Sequence, residues 1–159
     1  MWSNYKMKKL SIKTVSYSAL LLGLLISQNV FARAFWEITD SNLKYVARVR
    51  ADPYWGSVVI YNPVFCKEIG AACGFFRDHA FAHAFLNHLL LPPEAYPYTL
   101  EDQADCWTAK NGDPDETYAA VQFLLDENRD PKIKLTGDPL KRAAKIKACA
   151  IDAGKWSVK

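Results

Sequence analysis

The chain has 159 residues, 50% of them hydrophobic and 23% charged, with 20 Lys and Arg against 17 Asp and Glu. That length suits one domain and that composition supports a packed core, which excludes disorder, collagen-like structure and coiled coil. The formal charge of +3 is unevenly placed, and its placement decides what it means.

Residues 1–34 hold Lys6, Lys8, Lys9, Lys13 and Arg33 and no acid, which leaves 15 bases against 17 acids over 35–159. The basic stretch precedes an apolar run from Ala19 to Ile26, and Ala32-Arg33-Ala34 places small residues around a cleavage point. This is the pattern of a secretory signal, with Met7 as a second candidate start. Gln28 and Asn29 interrupt the apolar run, short of the ~20 residues that a membrane span needs. The expected organisation is a signal peptide over 1–34 and one secreted or periplasmic domain over 35–159, with no membrane attachment once the signal is removed.

Trp36–Ile38 and Leu43–Val49 are rich in β-branched and aromatic residues, and Leu43, Tyr45, Ala47 and Val49 alternate with polar neighbours as in a half-buried strand. Turn residues over 51–56 and the apolar Ser57–Tyr61 then predict a hairpin, which Asn62-Pro63 ends. Phe75–Leu86 lacks Gly and Pro and reads as a buried helix. After a proline-rich loop over 91–97, Thr99 is a candidate cap for a helix from Leu100 to about Lys110, stopped by Asn111-Gly112. Asp113-Pro114 opens a helix with its body over Thr117–Glu127, and Asp138-Pro139 opens the last, which runs to about Asp152. The expected class is α+β, a small N-terminal sheet followed by about four helices.

All four cysteines, Cys66, Cys73, Cys106 and Cys149, follow the leader, an even number suited to an oxidising compartment. They allow three pairings. The preferred one is Cys66–Cys73, closing a short loop, with Cys106–Cys149 joining two distant helices. No Cys-x-x-Cys spacing points to a thiolate metal site.

The three histidines, His79, His83 and His88, fall within ten residues. His79 and His83 are four apart, so their rings share one helix face and can share a metal ion such as zinc. Glu101 and Asp105 are spaced likewise on the next helix. One carboxylate can be a third ligand, and the other can accept the free N–H of a ligating histidine. A pair of core histidines and a solvated acidic helix start are the plainer accounts of each motif alone. His88 lies about 140° round an ideal helix from His83 and shares that face only if the helix ends first, which Asn87 can do in a left-handed conformation.

His79-Ala80-Phe81-Ala82-His83 followed by Glu101-Asp102-Gln103-Ala104-Asp105-Cys106-Trp107 resembles the zinc metallopeptidases that carry His-Glu-x-x-His and a downstream Glu-x-x-Ala-Asp-Cys helix. It is most similar to small secreted bacterial members whose first motif extends to Gly-His, matched here by Asn87-His88. Tyr61-Asn62-Pro63, Arg142, Ile146 and Cys149 extend the resemblance over roughly 57–150. The resemblance implies a zincin-like helix pair, with His79, His83 and Glu101 as zinc ligands and Asp105 as the partner of a ligating histidine. His88 is left as an alternative ligand or a contact for substrate. The departure is Ala80, which stands where the family has the glutamate that moves the proton of the metal-bound water. Asp78 points about 100° away from His79, and nothing in the sequence brings Glu94, Tyr96 or Tyr98 over the site in its place.

The expectation is therefore an exported, zinc-binding, peptidase-like domain with no catalytic residue at the general-base position, able to bind a peptide or a protein. The alternatives are an active zinc hydrolase with a substitute base and a metal-free, disulfide-stabilised binding protein. The bases Lys132, Lys134, Lys141, Arg142, Lys145 and Lys147 read as a surface stripe rather than a nucleic-acid site, with Arg142 on a solvated face opposite Ala144, Ala148 and Ile151.

Overall fold

The computed structural model describes residues 36–90 and 98–156. Residues 1–34, read from the sequence as a signal peptide, and the loop residues Glu94 and Tyr96 lie outside the described residues. The strands are β1 (Trp36–Thr39), β2 (Ala47–Asp52) and β3 (Gly56–Tyr61). They are followed by α1 (Pro63–Ile69), α2 (Ala72–Phe85), a 3₁₀ turn (His88–Leu90), α3 (Tyr98–Asn111), α4 (Pro114–Leu125) and α5 (Pro139–Asp152). The fold is α+β.

The expected hairpin forms from β2 and β3. Asp52 Oδ1 accepts from the backbone N–H of Tyr54 and Trp55 at 3.0 Å each, and Gly56 closes the turn at φ +74°. β3 is central: β2 pairs with it antiparallel and β1 parallel, in the order β1-β3-β2. Pairing Tyr61 with Ala47 and Val59 with Val49 sets their side chains on one face of the sheet. Arg77 of α2 meets that face, donating to Glu37 through Nε at 3.2 Å and covering the Tyr61 ring at 4.7 Å. Leu43–Val46 falls outside β2, because Tyr45 and Lys44 pair instead with the segment at Lys134.

Asn62-Pro63 ends the hairpin, as read from the sequence, but it also starts α1, which the sequence reading omitted. Asn62 Oδ1 accepts from the N–H of Val64 and Phe65, while its Nδ2 donates to the carbonyls of Ser41 and Leu43. One buried side chain thus caps the helix and fixes the chain leading into β2. The proline sits at a helix start, where its missing N–H costs nothing. α3 begins at Tyr98, one residue before the expected cap position at Thr99.

The core lies between the helices, around Phe75, Val121, Leu124 and Ile146. Phe76 meets the rings of Phe75 and Phe123 edge-on at 5.8 and 5.7 Å. Cys66–Cys73 clamps α1 to α2, and Cys106–Cys149 joins α3 to α5, the pairing preferred from the sequence. The buried face of α5 is Arg142, Ala143, Ile146, Cys149 and Ala150, while Ala144, Ala148 and Ile151 are exposed. Lys141 and Lys145 are exposed as read from the sequence, but Arg142 is drawn inward by a buried partner on α3, and Ala144, Ala148 and Ile151 are not the packed side. No helix among the described residues is long and apolar enough to cross a membrane.

Candidate metal centre

α2 and α3 pack side by side, and their i,i+4 pairs face each other. His79 and His83 are nine-tenths buried. Their Nε2 atoms stand 3.1 Å apart, and the carboxylate of Glu101 closes the triangle, 3.2 Å from His79 Nε2 and 3.4 Å from His83 Nε2. A tetrahedral ion with bonds of ~2.0–2.1 Å holds its ligands about 3.3 Å apart. The two Glu101 distances run to different oxygens, Oε2 toward His79 and Oε1 toward His83, and one ligand atom from each of the three residues lies within 4.8 Å of the others, close to the spacing that such an ion imposes. Glu101 Oε2 is buried, and its approach to His79 lacks hydrogen-bond alignment. These three side chains, drawn together at one point, form a group able to hold a metal ion.

Asp105 stands on the far side of His79 from the convergence point. It is fully buried, with Oδ1 2.8 Å from His79 Nδ1. Arg142 donates to it twice, from Nε to Oδ2 at 2.8 Å and from Nη2 to Oδ1 at 2.6 Å, and donates from Nη1 to the Thr136 carbonyl at 3.3 Å. A carboxylate held by a guanidinium cannot donate, so a proton shared at this 2.8 Å contact would sit on His79 Nδ1 and, in the neutral ring, leave the lone pair on Nε2, although the contact lacks hydrogen-bond alignment. Sequence reasoning noticed Arg142 but gave it no part in the site. Its signal is spacing: it falls on the α5 stripe of Ala143, Ile146 and Cys149, where a lone base requires a buried acid.

The charges are strongly coupled. Burial pushes the Asp105 carboxyl up, but His79 and Arg142 overrule it and hold it below the usual aspartate value. Burial likewise opposes charge on Glu101, and the two imidazoles beside it bring its carboxyl well below the usual range. Burial disfavours protonated His79, yet Asp105 and then Glu101 raise its pKa above that of an ordinary histidine.

Asn87 ends α2 in the left-handed conformation, φ +59°. The turn brings buried His88 back over His83, with Nδ1 3.0 Å from His83 Nδ1 and Nε2 3.2 Å from Gln103 Oε1. His88 thus touches the nitrogen of His83 opposite the convergence point, and is not one of the three converging ligands. Burial, with His83 nearby, lowers its pKa despite the contact with Gln103.

The three ligands open onto a cleft of about 370 Å³ bounded by Tyr45–Val49, Phe76, Ala80, Leu89, Lys134–Thr136 and Arg142. Ala80 lines this cleft one residue after the first histidine, and Asp78 does not line it. Among the described residues Glu101 is the one acid in the lining, against the bases Arg48, Lys134 and Arg142. Comparisons with protein-family models, curated proteins and solved structures give no match. The functional reading therefore rests on the residues and their geometry.

Proposed function

We propose that the chain is an exported zinc-binding domain built on a metallopeptidase plan, with little peptidase activity of its own, that holds a peptide or protein segment in the cleft beside its metal. The observation that carries this reading is the convergence of His79, His83 and Glu101 on a cleft in which position 80 is alanine. Two imidazoles and a carboxylate favour zinc over calcium or magnesium, which take oxygen ligands. Bound there, zinc supplies a Lewis acid and makes a coordinated water easier to ionise.

The chain's own residues do the rest. Asp105, locked by Arg142, orients His79, and Glu101 supplies the negative ligand. The methyl group of Ala80 can neither accept a proton nor return one, and a missing general base forfeits ~10²–10⁴-fold in rate. β2 is an edge strand beside the cleft, so an extended peptide can pair with its free edge. Arg48 and Lys134 give that wall positive charge. Export is supported by the basic, acid-free leader and by two disulfides, which persist in oxidising compartments.

The test is metal analysis followed by a peptidase assay on the native chain beside Ala80→Glu. One zinc per chain is expected, with hydrolysis appearing only in the Glu variant and rising ~10²-fold or more. A metal content that stays near zero after zinc is added defeats the reading and favours the metal-free binding protein. Native hydrolysis abolished by Glu101→Ala favours an active hydrolase with a substitute base.

A further inference from the structure

We infer that the cleft selects an acidic peptide, with Arg48 and Lys134 holding its carboxylates. This rests on the peptide-binding reading of the cleft and adds the chemistry of what is bound. Much of the charge in the lining is already engaged. Glu101, the one acid there among the described residues, faces the two histidines, and Arg142 is held by Asp105. Arg48 and Lys134 remain. Both are exposed, and neither forms an ion pair among the described residues. Glu127 and Asp130 line an adjoining hollow with Lys134 but stop short of ion-pair distance. Tyr45 ties the two bases together: the Arg48 guanidinium lies 5.3 Å from the centre of its ring, and its backbone pairs with Lys134. Two like charges are thus kept on one wall of the cleft without a counter-ion among the described residues.

The edge of β2 shows how a peptide meets them. Asn62 donates its backbone N–H to the Val46 carbonyl at 2.9 Å, and the pairs Arg48–Ile60 and Arg50–Val58 continue that alternation. Ala47, Val49 and Ala51 therefore turn their N–H and C=O groups away from β3, toward the edge. Lys134 occupies that side only at its start, donating to the Lys44 carbonyl at 2.8 Å. From Ala47 onward the edge has no partner strand among the described residues. A peptide added there as a strand places alternate side chains on the face of the sheet that carries Arg48. A carboxylate across from Arg48 makes a cross-strand pair of unlike charges, and Lys134 stands at the end of the same edge. A nucleic acid would meet the charges but offers no backbone ladder to Ala47 and Val49.

The test is fluorescence anisotropy of the zinc-loaded native protein with labelled decapeptides of alternating Glu-Thr, Gln-Thr and Lys-Thr. At low salt the Glu-Thr peptide should bind about threefold to tenfold more tightly than Gln-Thr, and the margin should shrink as salt is raised. Arg48→Gln and Lys134→Gln should each weaken Glu-Thr binding about twofold to fivefold. Lys145→Gln, which removes an exposed base outside the lining, should not. Arg48→Glu/Lys134→Glu should reverse the order and favour Lys-Thr. Both positions are exposed, so zinc content and melting temperature should stay near native in every variant. Equal affinity for the Glu and Gln peptides, an acid preference that survives the double charge reversal, or equally tight binding of a ten-residue oligothymidylate overturns the inference. If no peptide binds while zinc does, the inference falls and the metal centre stands. If the native protein takes up no zinc, the metal centre falls, and the peptide series still decides the charge preference because neither base is a ligand.

Discussion

Asp105 carries one formal charge with no access to water, and it is surrounded by Arg142 on one side and His79 on the other. Removing one partner of such a pair leaves an unpaired buried charge, which costs ~3–5 kcal/mol. Asp105→Asn should destabilise the metal-free protein by about that amount near neutral pH. The pH dependence has a definite sign. A carboxyl with a depressed folded-state pKa gives stability above its unfolded value, ~3.9, that is lost as pH falls through the folded value. His79 acts the other way. Its raised pKa gives stability below the unfolded value of ~6.5 that is lost as pH rises through the folded value. The metal-free protein should thus be most stable between those two unfolded values, and the gap between native and Asp105→Asn should narrow as the pH is lowered past about 4. Urea titrations at several pH values measure this, and a gap that does not change with pH would remove the ion pair as its cause. Arg142 shows the limit of reading one helix at a time. Sequence periodicity put it with Lys141 and Lys145 on the solvated face, and only the position of Asp105 on another helix explains why it points inward.

At the scale of elements, three helices start with the same device. Asn62-Pro63, Asp113-Pro114 and Asp138-Pro139 each place a side-chain oxygen on the next free N–H groups, with proline following. Two of these starts were legible in the sequence. The third was masked because Asn62-Pro63 also ends a strand, and one signal was given one meaning. The i,i+4 pairs were legible for a local reason: helix geometry alone puts His79 beside His83 and Glu101 beside Asp105. How closely α2 approaches its neighbours was not legible, since that depends on Gly74. A Cβ at this buried position would run into the side chain of Glu116 on α4. Gly74→Ala should force the end of the Glu116 side chain aside and destabilise by no more than ~1 kcal/mol, since that end is flexible and alanine has the better helix propensity. Pairing it with Glu116→Ala should recover part of the loss, and a double-mutant cycle of melting temperatures reads the coupling. Strict additivity would mean that the two helices are not held apart at this point.

At the scale of the molecule, two disulfides brace different things. Cys66–Cys73 spans 7 residues at the α1–α2 corner, and Cys106–Cys149 spans 43 and ties α3 to α5. By chain entropy alone the short loop contributes about 2.5 kcal/mol and the long one about 4 kcal/mol. The long one also has a position that entropy does not describe. Cys106 follows Asp105 directly, and Cys149 lies on the same buried face of α5 as Arg142. The bond therefore fixes the two helices whose side chains form the ion pair that orients His79. Cys106→Ser/Cys149→Ser should lower both the urea midpoint and the zinc affinity. Cys66→Ser/Cys73→Ser should lower the midpoint by less and leave zinc affinity within a few-fold, because no residue of the metal centre lies on α1. Parallel urea and chelator titrations of the two double variants separate these effects. If both lower zinc affinity only in proportion to stability, the α3–α5 bond has no special hold on the site. If the long-bridge variant loses affinity beyond its loss of stability, the oxidised bond is part of how the metal centre is kept in shape.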